Sequence, residues 1–290
     1  MTLIAAFRYQ YGFVVVSDSQ ETVTYPSLDP NSPPRQYRVK MDKVKPARVG
    51  DYDVVAGGAG DNGPAIDRCE RHLLRAIATW VDGPLSDVEI ESRLTGFFSD
   101  YLFRFPDYGV DFLICLKHKN EKRVSLWDAR NDVVNPKERY LLVGWEEEIY
   151  DHEVKWLFRP GSWKNHAVLM GLRLFVMAED TSNTIKSPFR VVSVDEEEGT
   201  FVYPSDTVEE LQRRIKPFNE AVASVILNAG DASIHDAGLI ESLAVFEDEI
   251  YNLRERFLRR PVLRPYPIEK SEPKKGFRAW LCRKICEETT

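Results

Sequence analysis

Apolar residues near the start of the chain recur in short runs that are typical of β-strands. Residues 3–7 and 13–17 are two such runs, and the polar segment between them predicts a hairpin with Gly12 in the turn. Residues 24–36 carry several prolines among polar side chains, which predicts a surface loop. Residues 37–48 alternate loosely and predict a second hairpin with a strand that ends in a glycine cluster at 57–60.

After Pro64 the apolar spacing changes to three and four residues, which predicts helices. One helix begins near Pro64, and a second covers 86–104 with Ser86 as its N-cap. Further elements are expected as strands over 110–116, 123–127 and 139–143, helices over 146–157 and 164–179, and a hairpin of 189–194 with 200–203. This order predicts an α+β fold in which two stacked, mainly antiparallel sheets carry helices on both outer faces.

The pattern changes again near residue 206. Residues 206–228 and 236–260 predict two long helices, whereas the last thirty residues are rich in proline, lysine and arginine. We therefore predict three parts: a main domain over 1–205, a helical extension over 206–260, and a Pro-rich basic tail over 261–290.

Composition narrows the classes of partner and cofactor. A net charge of -7 argues against a nucleic-acid or anionic-membrane role, and no apolar stretch reaches the roughly 20 residues that span a bilayer. The first residues also lack the features of a signal peptide. Cys69 and Cys115 lie in apolar surroundings, and Cys282 and Cys286 have no further metal ligands nearby. We predict a cytoplasmic protein with no metal, no cofactor, and no nucleic-acid or membrane partner.

Thr2 is the residue that most strongly indicates a catalytic function. Methionine aminopeptidases remove Met1 when the next side chain is small, as threonine is. That removal would place a hydroxyl nucleophile and a free α-amine on one residue, and the amine can serve as the base for its own hydroxyl. Three further positions follow in order: Asp18 at the end of the second strand, Lys43, and Gly57 in the segment Ala-Gly-Gly-Ala-Gly-Asp.

With these residues in this order, positions 2–75 resemble β-type proteasome subunits, which are N-terminal-nucleophile (Ntn) hydrolases. Typical β-subunits are shorter than this chain, and the bacterial proteasome-like proteins, including the Anbu-type group, resemble it more closely. The interval between Asp18 and Lys43 is longer than in the family, and we interpret the proline-rich segment 24–36 as an insertion. The resemblance implies a four-layer α-β-β-α sandwich, and the C-terminal helical extension of this chain is not part of the basic family fold.

The resemblance also implies a role for each site residue. Thr2 would be the nucleophile, Lys43 would lie beside it and favour its neutral amine, and Asp18 would pair with Lys43. The backbone N–H of Gly57 would stabilise the oxyanion. Asp180, which follows a long helix, would orient the amine.

Two further features concern the substrate and the surroundings of Thr2. Gln20, Glu21 and Thr22 are expected to bind substrate, because an edge strand there could pair with an extended peptide. Trp145 stands where the family has a serine that supports the active site.

The expected function is that of a threonine peptidase that hydrolyses amide bonds of a peptide or protein after Met1 is lost. The family resemblance implies self-association into a ring or other homo-oligomer, and it leaves an ATPase partner open. One alternative is a catalytically idle proteasome-like scaffold, which Trp145 and the C-terminal extension favour. A second alternative is an Ntn amidase that acts on a small molecule.

Overall fold

The structure is a computed structural model that describes residues 2–25, 35–40, 42–60, 62–80, 83–106, 109–144, 147–159, 161–182, 185–230 and 236–259. For residues 20–25, 35–40, 156–157 and 256–259 it describes the backbone alone. The tail over 261–290, with Cys282 and Cys286, lies outside the described residues, as does Trp145.

The described strands form two five-stranded sheets and one two-stranded ribbon. Their bounds are β1 (Leu3–Tyr9), β2 (Gly12–Asp18), β3 (Gln20–Tyr25), β4 (Arg35–Lys40), β5 (Val44–Val49), β6 (Tyr52–Ala59), β7 (Asp111–His118), β8 (Val124–Arg130), β9 (Val133–Lys137), β10 (Tyr140–Gly144), β11 (Phe189–Asp195) and β12 (Gly199–Val202). The first sheet has the order β10-β1-β2-β11-β12, and the second has the order β5-β6-β7-β8-β9. Neighbouring strands in both sheets are antiparallel, and β3 pairs with β4 alone among the described strands.

The described helices are α1 (Gly63–Ala78), α2 (Asp87–Arg104), α3 (Glu147–Leu157), α4 (Lys164–Thr181), α5 (Ser205–Gly230) and α6 (Asp236–Arg259). The predicted cap of α2 is confirmed: the Glu89 amide donates to Ser86 Oγ at 3.4 Å, and the Ser86 amide donates to Glu89 Oε2 at 2.8 Å. None of the described helices is both long and apolar enough to cross a membrane.

Buried apolar side chains form three clusters. The first joins β1, β2 and β11 to α3, α4 and α5, and the second joins β6, β7 and β8 to α1 and α2. The third consists of strand residues from both five-stranded sheets, among them Ile4, Val15, Val55 and Leu113. Alternating residues of one strand therefore enter different clusters, as a β-strand buried on both faces requires. Cys69 and Cys115 are buried free thiols within these clusters, in agreement with their apolar surroundings in the sequence.

The predicted α+β class and the six helices agree with the structure, but the segment after β2 differs from the prediction. Residues 24–36 were expected as one surface loop, whereas the β3–β4 hairpin occupies both ends of that segment. Residues 37–40 therefore pair with β3, and β6 pairs only with Val44–Val49 on that side. The prolines in this segment led to the prediction of a loop. Most residues on either side of them, at 22–25 and 37–39, are β-branched or aromatic and favour strands.

The long C-terminal helices share a core with the strands. Val208, Leu211 and Ile215 of α5 and Leu253 of α6 belong to the first cluster, together with residues of β1 and β2. The observed bounds of α5 and α6 lie within one or two residues of the predicted helices. The division of the chain at residue 205 stays a prediction.

Candidate active site

Hairpin pairing places the start of β1 beside the end of β2. Ile4 lies opposite Ser17 in the register, so Thr2 and Asp18 lie at the same end of the first sheet. The Leu3 amide donates a hydrogen bond to Asp18 Oδ1 at 3.2 Å. Asp18 therefore holds the backbone directly after Thr2 in place. It can do so because it ends β2, the strand that pairs with β1.

Asp18 also binds Lys43, which precedes β5 of the second sheet. Lys43 Nζ lies 2.6 Å from Asp18 Oδ2, and the two side chains are 6% and 0% exposed. Burial raises the pKa of Asp18 above its ordinary value, and the Lys43 ammonium and the Leu3 amide oppose that rise. Because a buried charge is costly without a partner, the Lys43 side chain is held close to Asp18. The pair joins the two sheets next to Thr2.

Gly57 on β6 lies next to this pair and close to residues of both sheets. It pairs with Val44 in the second sheet. A Cβ at this position would lie 2.8 Å from both Ile4 Cδ1 and Val44 Cγ2, and 3.0 Å from the Lys43 carbonyl oxygen. A larger residue at this position would force Ile4, Val44 or the Lys43 backbone to shift, so glycine favours the packing of β6 against β1 and Lys43.

Gly144 is a second glycine beside Thr2, and the sequence interpretation did not assign it a role. It pairs with Leu3 at the end of β10, its φ is 122°, and a Cβ there would lie 1.9 Å from the Thr2 carbonyl oxygen. Only glycine fits this backbone conformation and this contact. A glycine directly after an apolar strand was the signal in the sequence that could have identified it.

A second ion pair also lies next to Lys43 and was missed. Asp42 precedes Lys43, and its carboxylate contacts Nη1 of Arg190 on β11, which is the neighbour of β2 in the first sheet. The two residues are far apart in the sequence and each resembles an ordinary surface charge. The sequence alone carried no signal for this contact.

The remaining predicted site residues are not joined to this group by a described contact. Asp180 is 60% exposed at the end of α4, and its carboxylate lies 3.9 Å from Lys216 Nζ on α5. Gln20, Glu21 and Thr22 form the first half of β3, and their side chains lie outside the described part. The roles of these residues stay predictions, as do the catalytic roles of Thr2, Asp18, Lys43 and Gly57.

Comparison with known proteins identifies the fold. No protein-family model matches the sequence, and no curated protein sequence matches it. Solved structures do match: Anbu, an ancestral beta-subunit, from Yersinia bercovieri has a TM-score of 0.62 at 14% identity, with 81% of this chain and 99% of that chain covered. This chain has the Anbu fold.

Two structures of Anbu from Hyphomicrobium sp. strain MC1 agree with this result. One has a TM-score of 0.59 at 14% identity and covers 77% of this chain and 96% of its own. The other, a Gly-1 mutant, has a TM-score of 0.60 at 14% identity and covers 78% of this chain and 96% of its own. The Anbu chains are thus matched almost entirely, while this chain has additional residues beyond the shared fold.

Proposed function

We propose that the protein is a threonine-type Ntn peptidase in which Thr2, freed by loss of Met1, attacks an amide bond of a peptide or protein. The observation that carries this proposal is the buried Asp18 carboxylate. It binds both the amide that follows Thr2 and the Lys43 ammonium. The Anbu fold and the three core clusters support the four-layer α-β-β-α arrangement in which such a site occurs.

The proposed chemistry needs no histidine and no metal. The Thr2 α-amine, with an ordinary pKa of about 7.7–8.0, accepts the hydroxyl proton while Oγ attacks the substrate carbonyl carbon. The C–N bond then breaks, the amine passes the proton to the departing nitrogen, and an ester to Thr2 remains. Water hydrolyses this ester in the second half of the reaction. Lys43 keeps the amine neutral, and so able to accept a proton, before each half of the reaction, because its positive charge disfavours a second positive charge on the amine.

Two backbone features are proposed to bind the substrate. The Gly57 N–H would donate to the developing oxyanion, and donors of this kind contribute about 2.7–4 kcal/mol. An extended peptide would pair with β3 at Gln20, Glu21 and Thr22, since β3 has a described partner, β4, on one side only. Both contacts use main-chain groups, which is consistent with a peptide substrate.

A catalytically idle scaffold is the second candidate function. The observation that favours it is Asp180, the predicted orienter of the amine, which forms an ion pair with Lys216. In either case we propose that the protein is cytoplasmic. We also propose that it assembles into a homo-oligomer, and the exposure of large apolar side chains on α5 and α6 supports this assembly.

Intact mass spectrometry with and without an electrophilic peptide analogue tests the two candidates. The peptidase is expected to lack Met1 and to gain one adduct on Thr2. Thr2→Ser should still react because it retains a hydroxyl, whereas Thr2→Ala should not react. Retention of Met1, or equal labelling of Thr2→Ala, would contradict the peptidase. A processed, folded protein that stays unlabelled would support the scaffold.

A further inference from the structure

Two consecutive residues bind two adjacent strands next to Thr2. Lys43 binds Asp18 on β2, and Asp42 binds Arg190 on β11. The two strands are neighbours in the first sheet, with Phe189 opposite Asp18 and Arg190 opposite Ser17. Because two neighbouring residues are bound, both the position and the rotation of the Asp42–Lys43 segment are restrained. A single contact would leave the segment free to rotate.

The position of Arg190 in β11 is otherwise unusual for a charged residue. Val192 and Val194, on the same face of the strand, belong to the cluster between the sheets. Arg190 is 23% exposed, and its buried Nε has no hydrogen-bond partner in the described part of the chain. Core packing does not explain an arginine at this position, because its neighbours on the same face are apolar. Its hydrogen bonding does not explain it either, since an unpaired buried donor is unfavourable. The contact with Asp42 does explain it.

We propose that Arg190 is a positioning residue, and that its ion pair with Asp42 holds Lys43 in register with Asp18 and Thr2. The effect on catalysis rests on the proposed function, while the effect on Lys43 does not. Lysine is a compact charge on a flexible stem, so its effect on a neighbouring amine depends on where its backbone is held. A displacement of about 1 Å at a reacting group can reduce the rate about 100-fold.

The test uses Asp42→Asn, Arg190→Gln, the double variant, and the conservative Arg190→Lys. The control is Asp51→Asn with Lys119→Gln, which removes a partly exposed ion pair of 2.5 Å, with Asp51 37% and Lys119 42% exposed. Asp51 lies in the turn between β5 and β6, at the opposite end of these strands from Lys43. Removal of this control pair therefore leaves the Thr2 end of the sheets unchanged.

The first measurement needs no activity. Reductive methylation followed by mass spectrometry reports the accessibility of Lys43, which is 6% exposed, against Lys45, which is 39% exposed. We expect Lys43 to react faster in Asp42→Asn and in Arg190→Gln, to stay protected in the control, and to be protected again in Arg190→Lys. If Lys43 stays protected in both single variants, the inference is overturned whether or not the protein reacts with a peptide.

The second measurement is the labelling rate of Thr2, together with kcat and KM on a peptide. Each single variant should lower the labelling rate and kcat about 10-fold to 100-fold with KM nearly unchanged. The double variant should be no slower than either single variant, because both remove one interaction. Additive losses, or equal losses in the Asp51 and Lys119 control, would overturn the inference. A wild-type protein that does not label would contradict the proposed function, and the methylation result would still decide the role of Arg190.

Discussion

Gly144 controls how closely β10 approaches Thr2. Its φ is 122°, and a Cβ would lie 1.9 Å from the Thr2 carbonyl oxygen, a backbone atom that cannot move aside alone. We expect Gly144→Ala to lower the free energy of unfolding by at least about 1–3 kcal/mol from backbone strain, and to reduce labelling of Thr2. Urea unfolding and the labelling rate measure the two effects.

The control is Gly96→Ala in α2, where no heavy atom lies within 4 Å of the added Cβ. In a helix interior this change should raise the free energy of unfolding by about 0.5–1 kcal/mol. Equal unfolding energies for Gly144→Ala and the wild-type protein would contradict the steric argument.

For individual residues, the sequence indicated only part of the candidate site. The predicted positions of Asp18 and Gly57, at or near the ends of strands that follow Thr2, agree with the structure, while their catalytic roles stay predictions. The Arg190–Asp42 contact depends on two sheets meeting in space, and no local pattern in either segment indicates it.

Among the helices, α4 carries a group whose protonation opposes folding. His166, near the start of α4, stacks on Phe158 at 6.1 Å, and burial lowers the pKa of His166 below its ordinary value. The unfolded chain, in which this histidine has a pKa of about 6.5, therefore binds more protons than the folded chain as the pH falls. This contribution to stability is present above about pH 6.5 and decreases below it.

We expect His166→Gln to weaken the loss of stability between pH 7.5 and pH 5, because glutamine does not titrate. Urea midpoints at the two pH values measure the difference for each protein. An unchanged difference would show that the protonation of His166 is not coupled to folding.

The success of prediction differed between kinds of element. The long helices were predicted because they combine a 3.6-residue apolar period with a polar cap such as Ser86. The strand β9 (Val133–Lys137) was not predicted, since it is short, largely exposed and contains Pro136 at the edge of the second sheet. Its place is set by pairing with β8, a tertiary contact.

For the whole molecule, the exposed apolar side chains of α5 and α6 are relevant to the proposed homo-oligomer. Ile226 and Leu227 of α5 are 66% and 69% exposed, and Val245 and Tyr251 of α6 are 51% and 55% exposed. The helices contact each other through polar groups as well, with Ser224 Oγ 3.3 Å from Ser242 Oγ. Ile226 and Leu227 are consecutive exposed apolar residues, and a contact between subunits would bury them.

If these helices form the interface of the proposed homo-oligomer, Leu227→Lys should shift the protein to smaller species. The reason is that a lysine charge in the interface would lose its hydration. Mass photometry measures the distribution of species. Val88→Lys is the control, since Val88 is 77% exposed on α2. Equal shifts for both variants, or none for Leu227→Lys, would contradict an interface at α5.

The β3–β4 hairpin has a consequence for engineering. Gln20 lies opposite Lys40, and Tyr25 lies opposite Arg35, so the chain leaves the site and returns to it at neighbouring points. The free energy of closing a loop rises only slowly with its length, by about 0.6 kcal/mol per doubling. Tyr25 and Arg35 pair at the end of the hairpin away from Asp18 and Lys43. A foreign peptide inserted between them is therefore expected to leave Asp18 and Lys43 in place.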